Sequence, residues 1–341
     1  MSRRFPARAV SVPAIALAAL VVSACASSSS SSPSTSRTAG GQSAAAAKKY
    51  NLQLVVGTKS DDFYVTMECG AQAEARKLGQ SITVSGPSTF SVPLQKPLID
   101  NAIVTKPDAL MIAPTDASAL DSDLQRVQGN GTKVVFVDTS SSNASLGVSR
   151  ISSNNLAGGK LAADTLGGML GGKGTVAVIS VAKGVSTTDA RVQGFQQEMA
   201  AKFPHIKLLA EQNDDADSVT TATQFIEGDI SGNPGLNGAF AANVITAEGA
   251  AAGIQHAGRS GKVKLATFDA DSTQMSMMRA GTIQLAIAQE PALEGKDAVD
   301  QAVSALSGKP VQANIATPLI AVTQQNMNSP AVKPYIYVGA C

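Results

Sequence analysis

Lys133-Val134-Val135-Phe136-Val137-Asp138-Thr139 is a short apolar run that ends in a polar corner. Ala109-Leu110-Met111-Ile112, earlier in the chain, has the same form and is followed by Thr115-Asp116. An apolar run of this length predicts a buried strand, and the polar corner after it predicts the carboxyl end of that strand. These stretches decide the fold class, because strands that are apolar on both faces are typical of parallel sheets covered by helices.

The same pattern recurs along the chain, with helical stretches such as 65–77 between the runs. The other predicted strands are residues 53–56, 175–180, 239–242, 265–268 and 285–288. Strands separated by helices of this length indicate βαβ units. Residues 107–115 and 234–243 share the order of a proline turn, a buried strand and a polar strand end. The predicted fold class is therefore α/β, with two similar Rossmann-like lobes built on parallel sheets.

The first 47 residues differ in composition from the rest of the chain. Arginines 3, 4 and 8 precede an apolar stretch that is too short to span a bilayer as a helix, so residues 1–24 are predicted to be a signal peptide. Val22-Ser23-Ala24-Cys25 resembles a lipobox, which predicts cleavage before Cys25 and a lipid on its thiol. An ordinary signal peptide that happens to contain a cysteine is the alternative. Residues 25–47 are rich in Ser and Ala and predict a flexible tether.

Charge and composition exclude several functions. Without residues 1–24 the chain keeps 24 basic and 26 acidic side chains, so its net charge is about −2 and nucleic acid is not an expected partner. The two histidines, His205 and His256, have no cysteine or acidic partner at metal-binding spacing. We therefore expect no metal, no cofactor and no catalysis.

Two cysteines remain after Cys25, and they are Cys69 and Cys341. An even number of cysteines in an exported protein predicts a disulfide bond, which would tie the end of the chain to an early helix. The alternative is two free thiols.

Polar side chains follow the predicted strands. Ser60, Asp61, Phe63 and Tyr64 come after the first strand, and they combine hydrogen-bonding groups with the aromatic planes that suit a sugar. The alternative is a helix start with Ser60 or Asp61 as its cap. The polar residues that follow later strands or begin the next helix are Asp138, Thr139, Arg191, Asn243, Asp269 and Gln289. Since ligands of open α/β sheets bind at the carboxyl ends of strands, these residues together predict a ligand site.

The order and spacing of several stretches resemble the periplasmic solute-binding proteins of the ribose-binding type, which serve ABC importers. The resemblance covers about residues 53–325. The stretches that carry it include Asp61-Asp62-Phe63-Tyr64, Ala113-Pro114-Thr115-Asp116, Ala190-Arg191-Val192-Gln193-Gly194-Phe195, Phe240-Ala241-Ala242-Asn243, Thr267-Phe268-Asp269 and Ile287-Ala288-Gln289.

The resemblance implies two lobes joined by a three-segment hinge, with crossovers near 152–154, 289–291 and 317–318. The N-terminal lobe is then 48–152 plus 291–317, the C-terminal lobe 153–290 plus 318–330, and the tail 331–341. The ligand residues carried over are Asp61, Phe63, Tyr64 and Asp138 on the N-terminal side, and Arg191, Asn243, Asp269 and Gln289 on the C-terminal side.

The implied function is that of a monomeric, lipid-anchored receptor on the outer face of the cytoplasmic membrane. It would bind a monosaccharide or polyol between its lobes and present it to the permease subunits of an ABC importer. The alternatives are a non-sugar solute, or presentation of the solute to a membrane sensor. Thr139, Ala216 and Val244 stand where ribose binders have an Arg, an aromatic residue and often an acid, so the resemblance does not identify the solute.

Overall fold

The computed structural model describes residues 48–341. The predicted signal peptide, Cys25 and the tether up to residue 47 lie outside the described residues. Among the helices of residues 48–341, none is both long enough and apolar enough to cross a membrane.

Strands and helices alternate along the described chain. In chain order the strands are β1 (Asn51–Val55), β2 (Ser81–Ser85), β3 (Ala109–Ile112), β4 (Lys133–Val137), β5 (Ser149–Ser153), β6 (Lys173–Val181), β7 (His205–Leu208), β8 (Gln212–Asp214), β9 (Leu236–Ala241), β10 (Lys264–Phe268), β11 (Ile283–Ala288), β12 (Asn314–Thr317) and β13 (Ile320–Val322). The α-helices are α1 (Asp62–Lys77), α2 (Val92–Thr105), α3 (Asp121–Gly129), α4 (Asn155–Met169), α5 (Ser186–Lys202), α6 (Val219–Gly232), α7 (Val244–His256), α8 (Ser272–Arg279) and α9 (Pro291–Leu306).

These elements form two sheets, and each sheet defines a lobe. The N-terminal lobe has the strand order β12-β5-β4-β3-β1-β2, with every pairing parallel. The C-terminal lobe has the order β13-β11-β10-β9-β6-β7, and β8 also pairs with β6. Only β13 in these two sheets runs antiparallel to its neighbour, β11. The predicted fold class, two α/β lobes with parallel sheets, is confirmed.

The chain passes between the two sheets at three places. It leaves the first sheet after β5, returns between β11 and α9, and leaves again between β12 and β13. Helix α9 packs on α1 and on strands β3 to β5, so it belongs to the N-terminal lobe. Three neighbouring connections of this kind are the structural basis of a hinge.

Both faces of each sheet are buried, as the apolar strands predict. In the N-terminal lobe, Leu52 and Leu54 belong to the core on one face of the sheet, whereas Leu110 and Phe136 belong to the core on the other. All four side chains are at most 1% exposed. Burial of each side chain contributes about 1.5–3 kcal/mol to stability. Strands β3 and β4 could be predicted because nearly all of their side chains are apolar.

Glycines let two helix pairs approach until their backbones touch. On α4 and α5, Gly159 lies against the carbonyl of Arg191, and Gly194 lies against the carbonyl of Leu156. In the N-terminal lobe, Gly70 and Gly295 place α1 equally close to α9. A Cβ at any of these glycines would overlap backbone atoms, so each pair is held rigidly, and the pair in the C-terminal lobe fixes the position of Arg191.

The predicted start of one helix was wrong, and six strands were not predicted: β2, β5, β7, β8, β12 and β13. Helix α5 begins at Ser186, so Arg191 lies in its second turn and does not open it. The helix starts early because the Asp189 carboxylate accepts from Gly184 N at 2.9 Å and folds the loop back onto the first turn. Strand β2 was not predicted, because only Ile82 and Val84 are apolar in this edge strand.

Candidate ligand-binding site

A cavity lies between the lobes, at the carboxyl ends of strands from both sheets. It contains about 440 Å³ of space free of protein atoms, part of it open to solvent. The lobes touch beside it: Ala117 N donates to Gly184 O at 2.9 Å, and Ser140 N donates to Ser186 Oγ at 2.9 Å. The structure is therefore a closed arrangement of the two lobes around this cavity.

Helix α1 supplies the N-terminal side of the cavity. Asp61 caps this helix, because its Oδ1 accepts from Phe63 N at 2.8 Å, and it also lines the cavity. Both interpretations of this stretch, cap and cavity wall, therefore apply to the same side chain. Ser60 does not line the cavity: its hydroxyl lies 3.0 Å from that of Thr58, which lines the cavity in its place.

Aromatic rings form one wall. Phe63 and Tyr64 are about 5% exposed or less, and their rings meet edge to face with centroids 5.1 Å apart. Phe90 adds a third ring, stacked on Tyr64 at 6.5 Å. The Tyr64 hydroxyl donates to Asp138 Oδ2 at 2.7 Å, so this wall is connected to a carboxylate at its end. Such a surface can cover the C–H face of a polyhydroxylated ring.

Asp138 and Asp269 occupy equivalent positions in the two lobes. Asp138 follows β4 and has φ 61°, and Asp269 follows β10 and has φ 76°. Each backbone N–H donates to the next strand, from Asp138 N to Ile151 O at 2.8 Å and from Asp269 N to Ile287 O at 2.9 Å. Left-handed backbone is uncommon outside glycine and is concentrated at functional sites. The backbone is therefore strained at both aspartates, and this conformation places one carboxylate from each lobe at the cavity.

Arg191 is the cation at the cavity wall, and its own lobe holds it in place. Its Nε donates to Asn155 Oδ1 at 2.7 Å and its Nη1 donates to Ala242 O at 2.9 Å. The guanidinium lies over the Phe268 ring, 4.2 Å from the centroid, and Nη1 is 3.9 Å from Asp269 Oδ2. Since the side chain is 3% exposed, its remaining N–H groups form a fixed planar donor for ligand oxygens.

Gln289 completes the group around Asp269. Its Nε2 donates to Asp269 Oδ1 at 2.7 Å, which leaves the amide oxygen as the free end of the side chain. That oxygen is buried and has no hydrogen-bond partner among residues 48–341. Because buried acceptors are nearly always satisfied, this oxygen is a natural acceptor for a ligand hydroxyl.

Asn243 caps a helix and also lines the cavity. Its Oδ1 caps α7 by accepting from Thr246 N at 3.0 Å, and its Nδ2 donates to Asp217 Oδ1 at 3.0 Å. Asp217 also lines the cavity and has φ 47°. Thr139 lines it too, but its hydroxyl donates to Pro114 O at 2.7 Å and mainly closes the corner after β4.

Four carboxyl groups face one guanidinium in this cavity. Burial raises the pKa of Asp61 well above its ordinary value, with a further contribution from the charge of Asp269. Burial raises the pKa of Asp138 to about 6 although Arg191 lowers it, and burial raises the pKa of Asp217 to about 6. Buried carboxylates favour a ligand that brings several hydroxyl donors, because those donors replace the lost hydration.

Nine of the ten predicted ligand residues line the cavity, and Ser60 is the exception. Sequence reasoning missed Thr58, Phe90, Thr187, Thr188 and Asp217, which line it as well. Phe90 follows β2, which was not predicted. Thr187 and Thr188 follow β6 in the first turn of α5, and Asp217 follows β8. Thr58, Thr187 and Thr188 follow β1 and β6, which were predicted, whereas Phe90 and Asp217 could be found only if β2 and β8 had been recognised.

A buried carboxyl group lies at the hinge. Glu294 of α9 is 0% exposed, and its Oε1 accepts from Ser153 Oγ and from Thr317 Oγ1, each at 2.9 Å. Ser153 ends β5 and Thr317 ends β12, so Glu294 joins two of the three crossings. Burial, and then the charge of Asp138, raise the pKa of Glu294 to about 8, while both hydroxyl groups and Arg191 lower it.

We expect the free energy of unfolding to depend on this group. The folded pKa of about 8 lies above the ordinary value of 4.5, so the folded state holds the proton more tightly. The contribution of protonated Glu294 to the free energy of unfolding is fully present below about pH 4.5. It is lost as the pH rises from there to about 8. Glu294→Gln removes this titration, so its gain in stability over the wild type should grow from less than about 1 kcal/mol near pH 5 to a few kcal/mol at about pH 8.

Urea denaturation at four pH values between 5 and 8 measures this difference. Glu68→Gln on α1, where the side chain accepts from Gln72 Nε2 at 2.7 Å, is the matched control. Parallel pH profiles for Glu294→Gln and the wild type would show that Glu294 is ionised in the folded protein throughout this range.

Together these features define a class of protein. Two α/β lobes, joined by three crossings, enclose a polar and aromatic cavity at their strand ends. This is the architecture of a hinged solute-binding protein.

Comparisons with known proteins agree with this class. Residues 52–310 match the family described as periplasmic binding protein domain, and the chain belongs to this family. The ribose import binding protein of Bacillus subtilis (strain 168) is 29% identical over 278 residues, which are 82% of this chain and 88% of the relative. The ribose import binding protein of Escherichia coli (strain K12) is 31% identical over 278 residues, which are 81% of this chain and 92% of the relative.

Solved structures show the same likeness. A solute-binding protein of an ABC transporter from Agrobacterium vitis, bound with α-D-tagatopyranose, superposes with a TM-score of 0.83 at 36% identity. The match covers 85% of this chain and 99% of that one. A second protein of this kind from the same organism, with bound D-fucose, gives a TM-score of 0.81 at 27% identity and covers 85% of this chain and 100% of that one.

Proposed function

We propose that this protein is the extracytoplasmic solute-binding component of an ABC importer and that it binds one monosaccharide or polyol between its lobes. It binds the solute without altering it, and it presents the closed form to the permease subunits as a monomer. The lobes are 48–152 plus 291–317 and 153–290 plus 318–330, and they move about the three crossings. The ligand residues are Asp61, Phe63, Tyr64, Asp138, Thr139, Arg191, Asn243, Asp269 and Gln289.

One observation supports this proposal above the others. The cavity combines four carboxyl groups and a pinned guanidinium with a wall of three aromatic rings. Carboxylates accept from hydroxyl groups, the guanidinium donates to ring or hydroxyl oxygens, and the rings cover C–H faces. The direct contacts between the lobes beside the cavity favour a single sugar unit over an oligosaccharide. The relatives, which include ribose import binding proteins and structures with bound D-tagatose and D-fucose, support the same ligand class.

A thermal-shift screen of the purified protein tests this function. The panel contains D-ribose, D-tagatose, D-fucose, D-arabinose and xylitol, with maltose and glutamate as controls of the wrong size and chemistry. A ligand at one hundred times its Kd should stabilise the fold by about 2.7 kcal/mol. Calorimetry should then give one site per chain. Stabilisation by glutamate alone, or by maltose alone, would contradict the proposed ligand class.

We also propose that Cys25 carries a lipid after removal of residues 1–24 and that residues 25–47 tether the lobes to the membrane. The lipobox-like stretch before Cys25 supports this proposal. In cell fractionation, the wild-type chain should remain with membranes and Cys25→Ser should be released. Mass spectrometry of the mature N-terminus gives the second readout, because an unmodified Cys25 would contradict the anchor.

A further inference from the structure

The last part of the chain, Met327–Cys341, is called here the C-terminal strap, and it begins inside the C-terminal lobe. Met327 and Val332 are buried in the core of that lobe, and Tyr335 packs on the same core. Apolar burial therefore anchors the first half of the strap to the lobe that contains β10 and β11.

Tyr337 brings the strap to the wall of the cleft. Its backbone N–H donates to Ala270 O at 3.1 Å, and its hydroxyl donates to Asp269 Oδ1 at 2.8 Å. Its ring meets that of Phe63 edge to face, with centroids 5.6 Å apart, and the side chain is 3% exposed. Tyr337 does not line the cavity, but it touches lining residues of both lobes: Phe63 of the N-terminal lobe, and Asp269 and Gln289 on the C-terminal side.

Beyond Tyr337 the strap continues onto the N-terminal lobe. Val338 N donates to Thr66 Oγ1 at 2.8 Å, and Cys341 forms a disulfide bond with Cys69, with the two Cα atoms 5.3 Å apart. Thr66 and Cys69 both belong to α1. The bond is the one that the two cysteines of the mature chain predict. The strap is therefore a fourth connection between the lobes, in addition to the three crossings of the hinge.

We propose that the C-terminal strap is a latch on the closed form and that Tyr337 is a positioning residue for Asp269. The strap is bonded to both lobes, so the cleft cannot open unless the contacts of Tyr337 and Val338 on one lobe break. The disulfide bond keeps the end of the strap on α1 while these contacts are broken. They re-form within one molecule, at the high effective concentration that a short covalent connection provides.

Two consequences follow for the ligand. The Tyr337 hydroxyl, together with Gln289 Nε2, fixes which way the Asp269 carboxylate points, so loss of the hydroxyl should weaken binding although Tyr337 does not touch the ligand. Loss of the disulfide bond should speed ligand release more than it slows capture, because the latch acts on the closed form. These consequences rest on the proposed function, whereas the effect of the latch on the empty protein does not.

Stopped-flow measurement of sugar binding, with the best ligand of the screen above, tests the ligand effects. Tyr337→Phe should raise Kd about tenfold with little change in the midpoint of thermal unfolding. Cys341→Ser should raise the dissociation rate about three- to tenfold and leave the association rate within about twofold. The matched control is Tyr335→Phe, a strap tyrosine that packs on the core of the C-terminal lobe and should bind like the wild type.

Small-angle X-ray scattering of the empty protein tests the latch without any ligand. Cys341→Ser, and wild type treated with reductant, should have a larger radius of gyration than the oxidised wild type. If the wild type binds no sugar, the proposed function fails, but this scattering experiment still decides on the latch. Equal radii for the three samples, or binding kinetics of Tyr337→Phe and Cys341→Ser equal to those of Tyr335→Phe, would overturn the proposal.

Discussion

Asp269→Asn is expected to weaken sugar binding at least about 100-fold, or about 2.8 kcal/mol, while the protein folds normally. Asparagine matches the shape of aspartate and tolerates the left-handed backbone at φ 76°, so the substitution adds little strain. It replaces one carboxylate oxygen with a donor that faces Arg191 Nη1, 3.9 Å from Asp269 Oδ2 in the wild type. The ligand then loses a charge-assisted acceptor, which is about twice as strong as a neutral one.

Calorimetry of Asp269→Asn with the best ligand of the screen measures this effect. Asp123→Asn on α3 is the matched control, because this carboxylate accepts from Lys96 Nζ at 2.7 Å and does not line the cavity. Asp269→Ala is a poorer test, since alanine at positive φ combines backbone strain with the loss of the carboxylate. Unchanged affinity in Asp269→Asn would remove Asp269 from the ligand set.

Arg191→Lys is expected to weaken binding by about two orders of magnitude although it keeps the charge. The guanidinium donates hydrogen bonds to Asn155 Oδ1 and Ala242 O and still has a planar pair of N–H groups for the ligand. A lysine ammonium cannot do both. It also loses the stacking on Phe268. The control is Arg150→Lys, because Arg150 likewise lies over a ring, that of Phe136 at 5.2 Å, and donates to backbone carbonyls outside the cavity.

Arg191→Ala should also destabilise the fold, by about 3 kcal/mol, because it leaves carboxylates buried without their cation. Arg191 lowers the pKa of Asp138, so its removal raises that pKa further above about 6. The folded state then favours protonated Asp138, and the loss of stability should be larger at pH 8 than at pH 5. Denaturation at both values checks this, and an equal loss at the two pH values would contradict it.

The sequence predicted the two lobes because their central strands are apolar on both faces. β3 and β4 have no polar side chain except Lys133 at one end, so their burial was evident. Strand β2 was not predicted, because it lies at the edge of its sheet and its serine and threonine residues alternate with Ile82 and Val84. Because β2 was missed, Phe90, which follows it and supplies the third ring of the aromatic wall, was not predicted either.

The site was predictable to the extent that it follows strand ends. Asp138, Asn243, Asp269 and Gln289 each come directly after a strand that could be recognised. The closed contact of the lobes, the left-handed backbone at Asp138 and Asp269, and the position of Tyr337 could not be read from local patterns. They depend on contacts between residues far apart in the chain, such as the 2.8 Å hydrogen bond from Tyr337 to Asp269.

The left-handed backbone at Asp138 and Asp269 has a consequence for how this protein can acquire new ligands. Only aspartate, asparagine and glycine occupy such backbone at low cost, so these two positions offer little beyond a choice between a carboxylate and an amide. Changes of specificity must then come from residues with ordinary backbone around them, such as Phe90, Thr187 and Thr188. A directed-evolution library should keep the two aspartates and vary those neighbours.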